Sequence, residues 1–586
     1  AGKTFTDMSG TTGVSGHATF VGQNLYGTVT SIAPGITRIW VYEAGGFCQR
    51  GNLNFGFALL PGSPPGGTSP VRVFNHSWIG SFGDPVYDKE VLRRADYSMD
   101  RDGTLFVVGE NNGAGSVAQP LMSSAYNGLA VGLMSGNHSA GDTLATADGA
   151  GRMKPEIVAP GQFTSFATPV VTGAAALLYD TALTPPNNVN PSRAKGVTIK
   201  SALMCGASHA ATWQNQAPSS GANRGITVKP LDPVYGAGTV NVNRAHRIIS
   251  ANESGGSSTP AAAVSAGPVA LMSWDYELAG QGYQRHYRID VPSACDASVL
   301  VTWNRAPGTA WTSTTDPSIL NLRLELQKVV GGVAVPISGD AGIGVFSGGN
   351  VVSDSAVDNV EHLYVRGLSA GTYVISVTRT DALATSAACA VSWYFDAVPL
   401  LGDLDNNGQR TGNPYTVRGF RSDSLTTNFF TALTPIDAYN TSRFTFTRGP
   451  NSILFGVGNP GGGLDIVTNR PDLTRDLHSL SLRVDSFDSY RVALDVSHVL
   501  VPRKLGLRID LLQEDRRRYV TPARAERGSI FAAATYQPFA GTTVTLNGES
   551  TRIRQQIGRS VVAFDQLTPW LAAGSPLKPV YGNTAA

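Results

Sequence analysis

Hydrophobic patterning changes character twice along this chain, near residue 250 and again near residue 410, and no single core can satisfy all three patterns. Up to about residue 250, short apolar runs alternate with helical segments: RIWVYEA (38–44), VRVFNHSW (71–78), TLFVVGENNG (104–113) and LAVGLMSG (129–136). That alternation predicts an α/β domain over 1–250, a parallel sheet flanked by helices. The stretch ANESGGSSTPAAA (251–263) is small, polar and interrupted by a proline, which predicts a linker over 251–265. Residues 266–400 hold short strands at turn-punctuated spacing, among them SVLVTWN (298–304), LNLRLELQKV (320–329) and GTYVISVTR (371–379), and predict an all-β sandwich. Beyond 410 come alternating runs of barrel-strand length: SLSLRVDSF (479–487), YRVALDVSHVL (490–500) and KLGLRIDLLQ (504–513).

Composition narrows the partners. Of 586 residues only 15% are charged and the net charge is +2, so there is no broad basic field for nucleic acid. The longest apolar run, Val170–Leu178, falls short of the ~18 residues that a membrane helix needs, and no such helix is expected. Four cysteines are too few for a disulfide scaffold; Cys295 and Cys389 flank the sandwich segment and are expected to lie within bridging distance. Between sandwich and barrel-like text, LGDLDNNG (401–408) places Asp403, Asp405 and Asn407 as in the opening of a calcium loop. Residues 409–414 supply no closing acid, so this is an incomplete structural calcium site or a solvated turn.

The chemistry-bearing text is FTSFATPVVTGAAALL (163–178), a small apolar helix beginning at Thr164 and Ser165 with Pro169 expected in its first turn. A serine at a helix N-terminus sits beside free N–H groups and a positive dipole end, which favour the oxyanion of acyl transfer. An ordinary N-cap serine would look the same in isolation. Two other segments accompany it, GHATFVGQ (16–23) and KPEIVAPG (154–161). Together the three resemble the subtilisin-like serine proteases, whose serine motif is kept at Thr164, Ser165, Ala167 and Pro169, with Phe163 in place of the usual glycine.

The resemblance implies Ser165 as nucleophile, His17 as general base and no catalytic cofactor. In FVVGENNG (106–113) it implies Asn111 as an oxyanion donor, with the neighbouring Asn112 as competitor. It further implies that Ser77, Trp78 and Gly80 border the primary specificity pocket, beside an extended peptide substrate. His76 and His138 show no metal-ligand spacing and are expected at the surface. The family's aspartate falls roughly thirty residues before its histidine. Here only Asp7 precedes His17, by ten residues and without a preceding apolar strand, so either the aspartate lay upstream of Ala1 or the domain is degenerate.

Residues 415–471, YTVRGFRSDS through FTFTRGPNSILFGVGNPGGGLDIVTNRP, resemble the plug of TonB-dependent outer-membrane receptors. The reading is a partial plug over 411–475 and the first strands of an incomplete β-barrel over 476–586, after the calcium-loop-like 401–410. A G-x-G-x-x-G at 456–461 precedes a strand rather than a helix and is not a dinucleotide site. Three functions compete: an endopeptidase fused to a receptor fragment, a transporter fragment, and a binding protein on a degenerate protease domain. The expected setting is a Gram-negative bacterium, with the protease part secreted or at the cell surface. A complete receptor part would need an outer membrane and TonB.

Overall fold

A computed structural model of the chain describes residues 2–10, 15–28, 31–185, 187–341, 343, 346 and 348–396, then 415–417, 420–422, 425–428, 430–431, 437–448, 462–484, 488–517 and 524–556. Asp403, Asp405, Asn407 and the glycine motif at 456–461 lie outside these residues. The chain divides into two compact units, residues 1–398 and 399–586.

In the first unit, four parallel strands run in the order Val73–His76, Leu105–Gly109, Leu129–Leu133, Ile157–Ala159. The two central strands are wholly buried, which is why their sequences read as continuous apolar runs rather than alternating ones. The helix Pro85–Asp102 starts where Asp84 accepts from Val86 N with Pro85 in the first turn, and ends at Gly103, whose φ of 64° favours glycine. Thr4–Asp7 pairs in parallel with Arg38–Val41 as a separate two-stranded sheet. The apolar stretch at 170–178 belongs to a longer helix, Thr164–Leu183, the one described helix long and apolar enough to cross a membrane; it is mostly buried within the protein.

The sandwich is two antiparallel layers. One runs Met272–Ala279, Ala387–Phe395, Cys295–Trp303, Val360–Leu368, Gly348–Gly349; the other runs Gln284–Val291, Gly371–Arg379, Leu322–Val330, Val352–Ser353. The second layer is extended by Ile226–Thr227 from the α/β part, paired in parallel with Val352–Ser353. The helix Gly196–Cys205 is buried along its whole length, because the sandwich covers the side that the parallel sheet does not.

Three expectations change here. Residues 251–265 are not a free linker: Trp274 Nε1 donates to Ala251 O (3.1 Å), Asn190 Nδ2 donates to Glu253 (2.6 Å), and Pro260–Ser265 is a helix capped by Thr259. Polar side chains and backbone there find partners on both sides, so burial is not required to order the segment. Cys295 and Cys389 lie at opposite ends of one strand pair, since Cys389 faces Trp303 while Cys295 begins that nine-residue strand. At about 3.3 Å per residue they are far beyond bridging distance, and all four cysteines are free and buried. His76 and His138 are buried rather than at the surface: His76 packs against Phe47 and Phe106, and His138 accepts from Leu133 N (3.0 Å).

In the second unit, Gly462–Thr468 lies between Thr441–Arg448 and Leu425–Thr427. Five strands then form an antiparallel meander: Leu477–Val484, Tyr490–Val501, Leu505–Arg517, Arg524–Phe539 and Thr542–Gln556. Register brings Leu480, Leu494, Leu511 and Ile530 abreast on one face. That face is exposed at Leu480, Leu482, Leu511 and Ile530, whereas the opposite face buries Asp510, Glu514, Arg527 and Ser529. Its polar groups meet partners from the preceding segment: Tyr439 OH donates to Glu549 (2.9 Å), Asn469 Nδ2 donates to Asp510 (2.8 Å), and Asp437 pairs with Arg491 and Arg527. An apolar outside, over an inner face that buries these polar groups beside a small cluster of Tyr439, Leu512, Phe531 and Ala533, is the pattern of a membrane barrel wall.

The sandwich is fastened to the α/β layer by buried charge. Arg305 pairs with Asp96 (2.8 Å) and Asp148, Asp148 also pairs with Arg93 (3.1 Å), and all four side chains are within 1% of complete burial. Asn127 ties the same place together, donating to Asp96 O and Arg305 O and accepting from Arg305 N. A sandwich loop then crosses the helix Pro85–Asp102, where Asp316 pairs with Lys89 (2.6 Å) and Arg94 stacks on Trp311. Removing one member strands the others without water, so Arg305→Ala should destabilise the unit by about 3–5 kcal/mol in chemical denaturation. Burial also holds His76 and His362 down to about 3. A histidine depressed on folding contributes stability that is present above its unfolded value of ~6.5 and lost as pH falls below it. Between pH 7.5 and 5 the unfolding free energy should therefore decline less steeply in His362→Gln than in the parent.

Candidate functional site

The site forms where the serine helix, Thr164–Leu183, meets the C-terminal ends of the parallel strands. Its N-cap is Phe163, extended at φ −130°, so the glycine that the motif lacks is not required there. Phenylalanine offers no capping oxygen, and the helix start is capped from another loop: Asn112 Oδ1 accepts from Thr164 N (2.8 Å). Thr164 Oγ1 donates to Glu110 O (2.6 Å), locking that loop to the helix. Gly109 lets strand and helix approach, since a Cβ there would lie 2.8 Å from Thr168 Oγ1.

Pro169 stands in the second turn rather than the first, four residues after Ser165. Lacking an N–H, it leaves the Ser165 carbonyl without its helical donor. Ser77 Oγ supplies one instead (2.9 Å), and is itself held by Asn75 Nδ2 (2.9 Å), whose Oδ1 accepts from Thr172 (2.9 Å). This chain fixes the strand end 75–77 against the turn bearing Ser165. Among the described residues no acceptor is found for Ser165 N–H, a donor left free at the helix start.

The other expected residues fall as follows. His17 lies near the start of the helix Gly16–Tyr26, exposed, its ring stacked on Phe166 at 6.1 Å; no hydrogen bond joins it to Ser165. Asp7 ends its strand exposed and accepts from Ser9 N (2.9 Å), not from His17. Asn111 is turned away from the serine helix, with Nδ2 donating to Val117 O (2.9 Å), and Asn112 occupies the helix start. Trp78 is half-buried beside His76, and Gly80 exchanges backbone bonds with Leu121. The sequence signal for Ser77's role was available in Pro169; Asn75, Thr172, Glu110 and Ser139 gave none, being ordinary strand, helix and loop residues until folded. Among the described residues no group of three or more His, Cys, Asp or Glu could hold a metal.

The first unit thus places a serine in the first turn of a buried helix at the ends of a parallel α/β sheet. Residues 12–238 match the sequence model of the subtilase family. The metal-pseudopaline receptor CntO of Pseudomonas aeruginosa is 30% identical over 128 residues, covering 22% of this chain and 18% of that receptor. The chain thus spans under a fifth of the curated relatives it matches. Among solved structures, the pyoverdine outer membrane receptor FpvA of P. aeruginosa PAO1 is similar over 24% of this chain and 22% of its own, at 18% identity and a TM-score of 0.22. The ferric-catecholate import receptor Fiu of E. coli K12 is similar over 23% and 21%, at 17% identity and a TM-score of 0.22. The chain carries both a subtilase-family stretch and a receptor-like stretch.

Proposed function

We propose that the first unit is a serine endopeptidase that hydrolyses peptide bonds through an acyl-enzyme, joined in this chain to part of a TonB-dependent receptor. The observation that carries this reading is the pair of donors at the serine helix: the free Ser165 N–H and the Asn112 amide, anchored through Oδ1 with no protein acceptor for Nδ2 among the described residues. In this reading Ser165 attacks, His17 takes and returns the proton, and Ser165 N–H with Asn112 receives the oxyanion. The segment Ser77–Gly80 borders the peptide, and no cofactor takes part. Asn111 then serves the loop rather than the oxyanion. The protease part acts outside the cell or at its surface, in a Gram-negative envelope.

A non-catalytic binding protein is the second reading, favoured by the Asp7 carboxylate lying on Ser9 N with no bond to His17. A transporter fragment is the third, favoured by the inverted polarity of the five-stranded meander. A fluorophosphonate probe separates them: Ser165 should be phosphonylated, and Ser165→Ala should abolish labelling and reduce peptide hydrolysis by at least about 10⁴-fold. Asn112→Ala should lower kcat by about 10²–10³-fold, with Asn111→Ala costing far less. Labelling that persists in Ser165→Ala places the nucleophile elsewhere.

A further inference from the structure

We infer that Glu110 is a positioning residue of this site: its carboxylate, acting through Ser139, holds the 110–113 loop and with it Asn112 at the head of the serine helix. This rests on the endopeptidase reading for its catalytic consequence, though not for the geometry.

Glu110 follows the strand Leu105–Gly109 directly and is 1% exposed. Its backbone is fixed on both sides, N–H to Val131 O (3.0 Å) and carbonyl to Thr164 Oγ1 (2.6 Å). Of its carboxylate oxygens, Oε2 accepts from Ser139 Oγ (3.0 Å) and Oε1 is buried with no hydrogen-bond partner. Ser139 Oγ accepts in turn from Asn111 N (3.1 Å), and Ser139 N donates to Asn111 O (2.8 Å). The result is a directed relay: Asn111 N–H to Ser139 Oγ, Ser139 O–H to Glu110. One residue further on, Asn112 caps Thr164.

The relay has a polarity that depends on the Glu110 proton. An ionised carboxylate only accepts, so Ser139 must turn its hydrogen toward it and its lone pairs toward Asn111 N–H. A carboxyl protonated on Oε2 donates to Ser139 Oγ, so that oxygen accepts from both Glu110 and Asn111 and the serine hydrogen must find another acceptor. The groups facing Glu110 are Lys154 from the strand Met153–Lys154, Glu156 beyond it, Ser139, and Ser123 from the neighbouring segment. Lys154 is committed to Glu156 (3.0 Å), and Glu156 also to Lys200 (2.7 Å), so among the described residues no cation pairs with Glu110. Burial, opposed by Lys154 and the serine hydroxyls, accordingly raises its carboxyl to about 7. Folded pKa above the unfolded one means the proton is taken up near neutrality, and the ordered relay is the high-pH form.

Selective ¹⁵N-asparagine labelling of the full chain tests the relay without requiring activity. The Asn111 amide resonance should move with a midpoint near neutral pH, and that movement should vanish in Glu110→Gln, which accepts but does not titrate, and in Ser139→Ala, which keeps the carboxyl but cuts the relay. An amide that does not titrate in the parent, or titrates alike in folded Ser139→Ala, overturns the inference. Kinetics reads the catalytic consequence: on the acid limb log kcat/KM should fall less steeply, by one proton, in Glu110→Gln than in the parent. Equal slopes overturn the link to catalysis. Absence of Ser165 phosphonylation in the parent would instead remove the endopeptidase reading, and the amide titration would still decide whether Glu110 holds the loop.

Discussion

The buried pairing of Arg305 with Asp96 and Asp148 makes one body of what the sequence presents as two domains. Charges removed from water hold only when every partner is present, and here the partners come from both layers: Arg93 and Asp96 from a helix of the α/β part, Asp148 from the loop ahead of the serine helix, Arg305 from the end of a sandwich strand. The helix Gly196–Cys205 follows from the same arrangement. It is buried on every side and would expose apolar side chains to water if the sandwich were elsewhere. The Lys200 ammonium within it is satisfied by Tyr126 O, Gly128 O and Glu156, all from the α/β layer.

At the site, a missing hydrogen has the largest consequence. Pro169 withholds one N–H from the Ser165 carbonyl, and the hydroxyl of Ser77 takes that place, so the residue that interrupts the helix also fixes the strand end beside it. Phe163 acts similarly at the other end of the turn. It cannot cap, and Asn112 does so from a loop more than fifty residues earlier. Two local deficiencies of the helix are thus filled by two different loops, and both loops are thereby brought to the serine.

The second unit obeys the opposite solvent logic. Its meander buries Asp510, Glu514 and Arg527 and exposes Leu480, Leu482 and Ile530. Each buried charge has a partner, and Asp437 joins Arg491 and Arg527, which stand two strands apart on either side of Glu514. The exposed row of leucine and isoleucine has no such requirement where the surroundings are lipid.

Local pattern was enough for much of this. Unbroken apolar runs such as Leu129–Leu133 meant buried parallel strands, the two-residue alternation after 477 meant strands with one apolar face, and the serine motif put Ser165 in the first turn of its helix. These are properties of neighbouring residues, and a sequence displays them directly. What the sequence left undecided was every pairing between distant positions. Cys295 and Cys389 seemed to flank one domain, yet strand register sets them at opposite ends of a sheet. Asn111 and Asn112 were indistinguishable as neighbours until the turn sent one amide to Val117 and the other to Thr164. His76 and His138 looked solvated because polarity is local, whereas burial depends on what arrives from elsewhere in the chain, and the 251–265 segment is held by hydrogen bonds to distant partners. Glu110 was one acidic letter in a glycine-rich loop; only the fold enclosed it with Ser139 and kept Lys154 for Glu156.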